Sequence, residues 1–258
     1  MCKALKVPRS TVYYKSKPKT VDCALENAVI DEFRKSWNNF GTRKLKIMLA
    51  RRSFHASRRK IGKIMRKYDL ISNYTIRNKK KRKAVPNNDD IPNILNREFN
   101  EKSAFEVVVS DLTYVKIAGK WRYLCLLLDL CGRKIVGSAA GNQRNAKLVQ
   151  TAFYSIQTDL RRISLLHTDR GSEFKNQVVD EILTAFNIKR SLSAKGTPHD
   201  NAVIESLYSQ VKTEFPFQRE FADLAEFELL WFEYVNWFNF HRPHGSLGYK
   251  TPAQFRGE

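Results

Sequence analysis

The chain has 258 residues, enough for one good core and a smaller second unit, and 42% of them are hydrophobic. It carries 46 Lys and Arg against 26 Asp and Glu, a formal net charge of +20, and residues 1–100 alone hold 26 cations against 8 acids. That asymmetry argues for a polyanion partner, nucleic acid being the common one, and against a merely solvated basic surface, which would repel itself for no return. No apolar run reaches the ~18–20 residues of a membrane span. The basic N-terminus has no apolar block behind it, so no secretion signal is expected. Cys2, Cys23, Cys125 and Cys131 make no C-x-x-C pair and the histidines make no H-x-x-x-H pair, which argues against a structural zinc site. A reducing cytoplasm fits.

Residues 1–19 are basic and broken by Pro8 and Pro18. A helix is predicted from Asp22, with Leu25, Val29, Ile30, Phe33 and Trp37 on one face and Gly41 as its stop. Leu45, Ile47, Met48 and Leu49 predict a second. Ser57 is the predicted N-cap of a third, with Ile61, Ile64, Met65 and Tyr68 inward. Its other face carries Arg58, Arg59, Lys60, Lys63, Arg66 and Lys67. Residues 1–75 therefore read as a small all-α, helix-turn-helix-like DNA-binding region, or as a basic bundle that only touches phosphate. A linker over 76–100 follows, with the cations of 79–83 and then Pro86, Asn87, Asn88 and Pro92, read as a tether that also meets phosphates.

The second unit spans residues 101–258. Phe105, Val107 and Val109 alternate, and Asp111 continues that face. A strand through Ile117, a turn at Gly119, a strand from Trp121 to Asp129 and a third from Lys134 to Ala140 make an antiparallel meander. Asn145 caps a helix with Leu148, Val149, Phe153 and Ile156 inward. Leu165 and Leu166 form a short strand that delivers Asp169 at its tip. A helix from Ser172, with Val178, Val179, Ile182, Leu183 and Phe186 inward, leads to a fifth strand over Lys189–Leu192. A Gly- and Pro-containing loop, 194–200, then opens a helix whose apolar stripe is Ile204, Leu207, Tyr208, Val211 and Phe215. Its polar stripe is Asn201, Glu205, Ser209 and Lys212. Asp223 and Glu226 have the form of a capping box for a last helix with Phe227, Trp231, Tyr234 and Phe238 on its core face. Residues 239–252 read as a polar, turn-rich tail.

Three meander strands, helix, strand, helix, strand, helix is the ribonuclease-H-like order: an α/β catalytic core with a mixed five-stranded sheet and flanking helices. In it the first and fourth strands are neighbours, so Asp111 and Asp169 meet and the Glu205 helix packs across their mouth. Converging carboxylates suit two hard divalent cations, Mg²⁺ above all, which stabilise the attacking and leaving oxygens of a displacement at phosphorus. Asp111 would bridge the ions, with Asp169 and Glu205 each holding one. Lys212, two turns past Glu205, would hold a phosphate of the DNA end. Lys195, His199 and Asn201 lie on or beside a loop able to close over DNA.

These residues resemble the acid triad of retroviral-type integrases and transposases. The wording HTDRGSEF at 167–174, GTPHDNAVIESLYSQVKTE at 196–214 and NFHRPHGSLGYKTPAQF at 239–255 is similar to the OrfB protein of the insertion-sequence-three family of bacterial transposases. Residues 39–70 resemble the helix-turn-helix region that precedes the core there, and residues 2–14 the entry segment. Trp237 and Ser110 depart from the usual wording, and the zinc-binding module of retroviral integrases is absent. The resemblance implies Mg²⁺- or Mn²⁺-dependent cleavage of a mobile element's ends and strand transfer into DNA, with Asp111, Asp169 and Glu205 catalytic and Lys212 the accompanying lysine. It further implies an upstream OrfA fusion partner and a multimer on DNA. The alternatives are a catalytically silent DNA-binding regulator and a nuclease that only cuts.

Overall fold

A computed structural model describes residues 8, 13, 22–75, 91–100, 102–194 and 198–258. Its first three helices are α1 (Cys23–Lys35), α2 (Thr42–Arg51) and α3 (Arg58–Lys67). Asp22 caps α1 by accepting from the Leu25 N–H, and Ser57 caps α3 by accepting from the Lys60 N–H. Helix α1 stops before Gly41. The Ser36 hydroxyl donates to Phe33 O and accepts from the Asn39 and Phe40 N–H groups, while Trp37 and Asn38 turn to positive φ. Gly41 becomes the N-cap of α2 instead. Tyr68, expected inward, is exposed and donates its hydroxyl to Glu26.

The core unit begins before residue 101. Residues 91–100, expected to be tether, lie against the sheet: Leu95 is buried, and the Ile94 and Leu95 N–H groups donate to Ser191 Oγ. Residues 76–90 lie outside those described. The sheet follows as β1 (Val107–Ile117), β2 (Lys120–Asp129) and β3 (Lys134–Gly141), then helix α4 (Ala146–Tyr154) and β4 (Leu165–Thr168). Helix α5 (Gln177–Ala185) starts later than Ser172, because Asn176 supplies the cap to the Val179 N–H. Strand β5 (Lys189–Leu192), α6 (Ala202–Glu214), α7 (Leu224–Phe240) and a short α8 (Pro252–Arg256) complete it. Asp223 caps α7, but Glu226 answers to the Ala222 N–H and not to Asp223, so the expected box is open.

The strand order is β3-β2-β1-β4-β5, with β1 antiparallel to β2 and parallel to β4. This is the expected α/β core, a mixed five-stranded sheet with flanking helices behind an all-helical region. Two apolar clusters flank the sheet, and β1 feeds both: Val107 and Val109 one, Val108 the other. Burial on both faces explains why alternation fades at the start of β1. Helices α4 and α5 close one face. On the other, α6 and α7 share a single cluster with α1–α3. Gly137 of β3 lets α4 approach, since a Cβ there would stand 2.6 Å from the Ala152 carbonyl oxygen.

Candidate active site

Parallel pairing of β1 with β4 runs to Ser110 opposite Thr168. Asp111 and Asp169 are the next residues on each side, so the strands deliver two carboxylates side by side. Asp111 Oδ1 accepts from the Leu112 N–H at 2.7 Å, and Asp169 Oδ1 from the Gly171 N–H at 2.9 Å. Glu205 stands exposed in the first turn of α6.

Tyr208, one turn further along α6, ties that helix to the acids. Asp111 and Leu126 face each other across β1 and β2. The buried Tyr208 hydroxyl enters the ladder there, donating to Asp111 O and accepting from the Leu126 N–H at 3.1 Å. The helix that carries Glu205 is thus anchored to the main chain of Asp111.

The electrostatics follow from the crowding. Burial, then the charge of Asp169, then Glu173 and Glu205 push the Asp111 carboxyl up to about 8. Burial also raises Asp169, with Glu173 adding to it and Arg144 opposing. Buried His167 is pushed down to about 4 by desolvation and stays neutral. Its Nδ1 meets Ser191 Oγ at 2.9 Å and its Nε2 meets Asp200 O at 3.1 Å, so it braces β4, β5 and the turn into α6 and plays no acid–base part.

Glu173 is a buried acid that no motif in the sequence marks. Its side chain pairs with Arg144, and it adds negative potential at both aspartates. Gly171 makes room for it, since a Cβ there would collide with the Glu173 carboxylate. The only sequence signal was an acid four residues past Asp169 in a Gly-containing turn. Lys212 sits over the Tyr114 ring, 4.6 Å from its centroid. Asn201 is buried, leaves α6 without a side-chain cap, and its Oδ1 has no hydrogen-bond partner. Lys195 lies outside the described residues, and nothing is described of the His199 side chain. On α3, Arg58, Arg59 and Lys63 are exposed. Lys60 and Lys67 are exposed too but pair with Asp22 at 3.0 Å and Glu26 at 2.8 Å, tying α3 to α1.

Among the described residues, no group of three or more His, Cys, Asp or Glu is arranged to hold a metal ion. The donor chemistry nonetheless fits a hard divalent cation. All the donors are carboxylate oxygens, the hard ligands such a cation takes, and burial with the neighbouring acid charges raises Asp111, a cost that a bound cation would offset.

The integrase core domain family matches residues 101–198 and again 186–252, and an HTH-like domain family matches residues 20–81. Together the two core matches run through more than half of the chain. The chain belongs to the insertion-sequence-three family of integrase-core transposases. A transposase for insertion sequence element IS904 from Lactococcus lactis is 31% identical over 64% of the chain and 66% of its own length. A putative transposase for IS150 from Escherichia coli K12 is 24% identical over 100% of the chain and 93% of its own. The transposase for IS3A from the same organism is 25% identical over 100% and 93%. The transposase family places the chain among the polynucleotidyl transferases. Among the described residues no helix is long and apolar enough to cross a membrane.

Proposed function

We propose that Asp111, Asp169 and Glu205 are the catalytic carboxylates of a DDE transposase that cleaves the ends of an insertion sequence and joins them to target DNA. The observation that carries this reading is the side-by-side delivery of Asp111 and Asp169 by β1 and β4, with the Glu205 helix pinned to Asp111 through Tyr208. The three acids would hold two Mg²⁺ or Mn²⁺ ions, which when bound stabilise charge on the attacking and leaving oxygens. The chain's own part is placement. Strand ends fix the two aspartates, α6 sets the reach of Glu205, and Arg144 neutralises Glu173 beside them. Lys212, Lys195 and Asn201 contact the DNA end near the scissile phosphate. Arg58, Arg59 and Lys63, with Lys60 and Lys67 behind them, give α3 its phosphate contacts along the duplex. OrfA, as an upstream fusion, supplies recognition of the terminal repeats, and the assembly on DNA is a multimer in the bacterial cytoplasm and nucleoid.

The test is incubation of the chain, fused to its upstream OrfA, with element-end DNA and Mg²⁺ beside the same fusion carrying Asp169→Asn. The parent should give joined strands, not nicks alone, and the variant should lose at least a hundredfold in rate, about 3 kcal/mol of barrier. Equal products from both would reject the assignment. Nicks without joining would point to a nuclease. Salt-sensitive binding with no products at all would leave a silent regulator.

A further inference from the structure

Beyond the acids, β1 and β2 continue as a hairpin past the end of β4, and the described structure leaves its far side open. Tyr114 and Trp121 stand there 52% and 58% exposed. Trp121 faces Lys116 across the ladder and Tyr114 faces Tyr123, so the two aromatics are diagonal neighbours on one face. Their rings meet edge to face, 5.1 Å between centroids and 90° between planes. The Lys212 ammonium lies over Tyr114, 4.6 Å from its centroid. Lys116 and Lys120 are exposed on the same hairpin. Two exposed aromatics with an ammonium over one of them, and further lysines on the same hairpin, are an expensive way to finish a hairpin but a good way to receive a flat, anionic chain.

We infer that Trp121, Tyr114 and Lys212 form a stacking platform for an unpaired nucleobase of the DNA strand that passes the acids. Every base offers a π-face, so stacking needs no base identity, and the surrounding lysines take the flanking phosphates. Tyr114 lies three residues beyond Asp111, roughly 10 Å along a strand, on the opposite face of the hairpin but tied by Lys212 to the helix that carries Glu205. That is about three nucleotides at ~3.4 Å each along a DNA strand. The platform therefore holds a base within a few nucleotides of the reacting phosphate. This rests on DNA being the substrate, and it adds that the end is opened there.

The experiment is binding without divalent metal, in EDTA, so that catalysis plays no part. A duplex with a short unpaired end is compared with the same duplex whose unpaired nucleotides are abasic. The base-bearing end should bind about tenfold tighter. It should also quench tryptophan emission, because Trp231 and Trp237 are buried, Trp37 is half-buried and Trp121 is the exposed one. Trp121→Ala should remove both the preference and the quenching, Trp121→Phe should keep the preference, and Tyr114→Leu should weaken it with the thermal melt unchanged. Equal affinity of the parent for both DNAs overturns the proposal, as does an undiminished preference in Trp121→Ala. A chain that prefers unpaired bases yet gives the same products with and without Asp169→Asn would refute the catalytic assignment and leave the platform standing.

Discussion

Burial and the charge of Asp169 push the Asp111 carboxyl up to about 8 from an ordinary 3.8. The folded chain then keeps a proton that the unfolded chain gives up above pH ~4, so this group's contribution to stability falls as pH rises from about 4 to about 8. Asp111→Asn removes the penalty. The variant should melt higher than the parent at pH 7.5, by roughly 1–3 kcal/mol, and the gap should close near pH 4. Mg²⁺ should narrow the gap as well, by stabilising the parent alone. Thermal unfolding at the two pH values checks it, and a gap that widens toward acid would contradict it. The meeting of Asp111 with Asp169 was readable from the order of elements, because strand adjacency follows from topology. Glu173 and Tyr208 were not. Glu173 is buried against Arg144, 29 residues earlier, and no local pattern links them. Tyr208 was read as one of five apolar residues on a stripe, and its hydroxyl's target exists only once β1 and β2 are paired.

Helices α6 and α7 are locked together by a buried ion pair. Glu214 ends α6 and Arg242 follows α7, and their side chains are 0% and 4% exposed. Tyr234 of α7 donates to Glu214 Oε2 at 2.8 Å, and Tyr74, from the segment after α3, donates to Oε1. Arg242 also donates to Gln210 at 2.8 Å. Removing one partner strands a charge in the interior, so Arg242→Met should cost about 3–5 kcal/mol, while Glu214→Gln with Arg242→Met should cost much less. Despite its burial, Glu214 is held below the usual carboxylate range by Arg242 and its hydrogen bonds. Its contribution is present above pH ~4.5 and is lost as pH falls through the lowered folded value, so the double variant should also be less acid-sensitive than the parent. Urea unfolding at pH 7 and pH 3.5 measures both. The 239–252 segment read as a polar, turn-rich tail because Asn is mostly exposed, His only sometimes buried and Arg seldom buried unless paired. Arg242, His244 and Asn239 are buried here, each with its partners outside the segment or within the lock. Apolar stripes fared better: Phe227, Trp231, Tyr234 and Phe238 all face the core, since period alone settles which side of a long helix is inward.

At the scale of the molecule, the helical region and the catalytic core share one interior. Trp37 stacks on Trp237 at 6.1 Å and 16°, and meets Phe215 at 5.8 Å and Tyr234 at 5.9 Å. Asn39 Nδ2 donates to Glu214 O, and Arg51 donates to Tyr249 O. Charge and linker composition divide the sequence near residue 76, yet charge describes the outside of a protein and says little about where its cores join. A chain starting at residue 91 keeps the sheet and the acids but loses α1–α3, Tyr74 and Trp37. The faces of Phe215, Tyr234 and Trp237 that Trp37 covers would then meet water. Such a chain should bind a hydrophobic dye and melt less cooperatively than the full chain. Trp37→Ala in the full chain should cost about 2–3 kcal/mol, toward the lower end for a large aromatic because Trp37 is only half-buried. Calorimetry of the three chains decides the matter. A truncated core that melts as sharply and as high as the full chain, without dye binding, would mean that the helical region only rests on the core. If instead the two unfold together, α1–α3 hold their cations in a fixed relation to the acids, and the phosphate contacts proposed for α3 would set where a strand crosses Asp111 and Asp169.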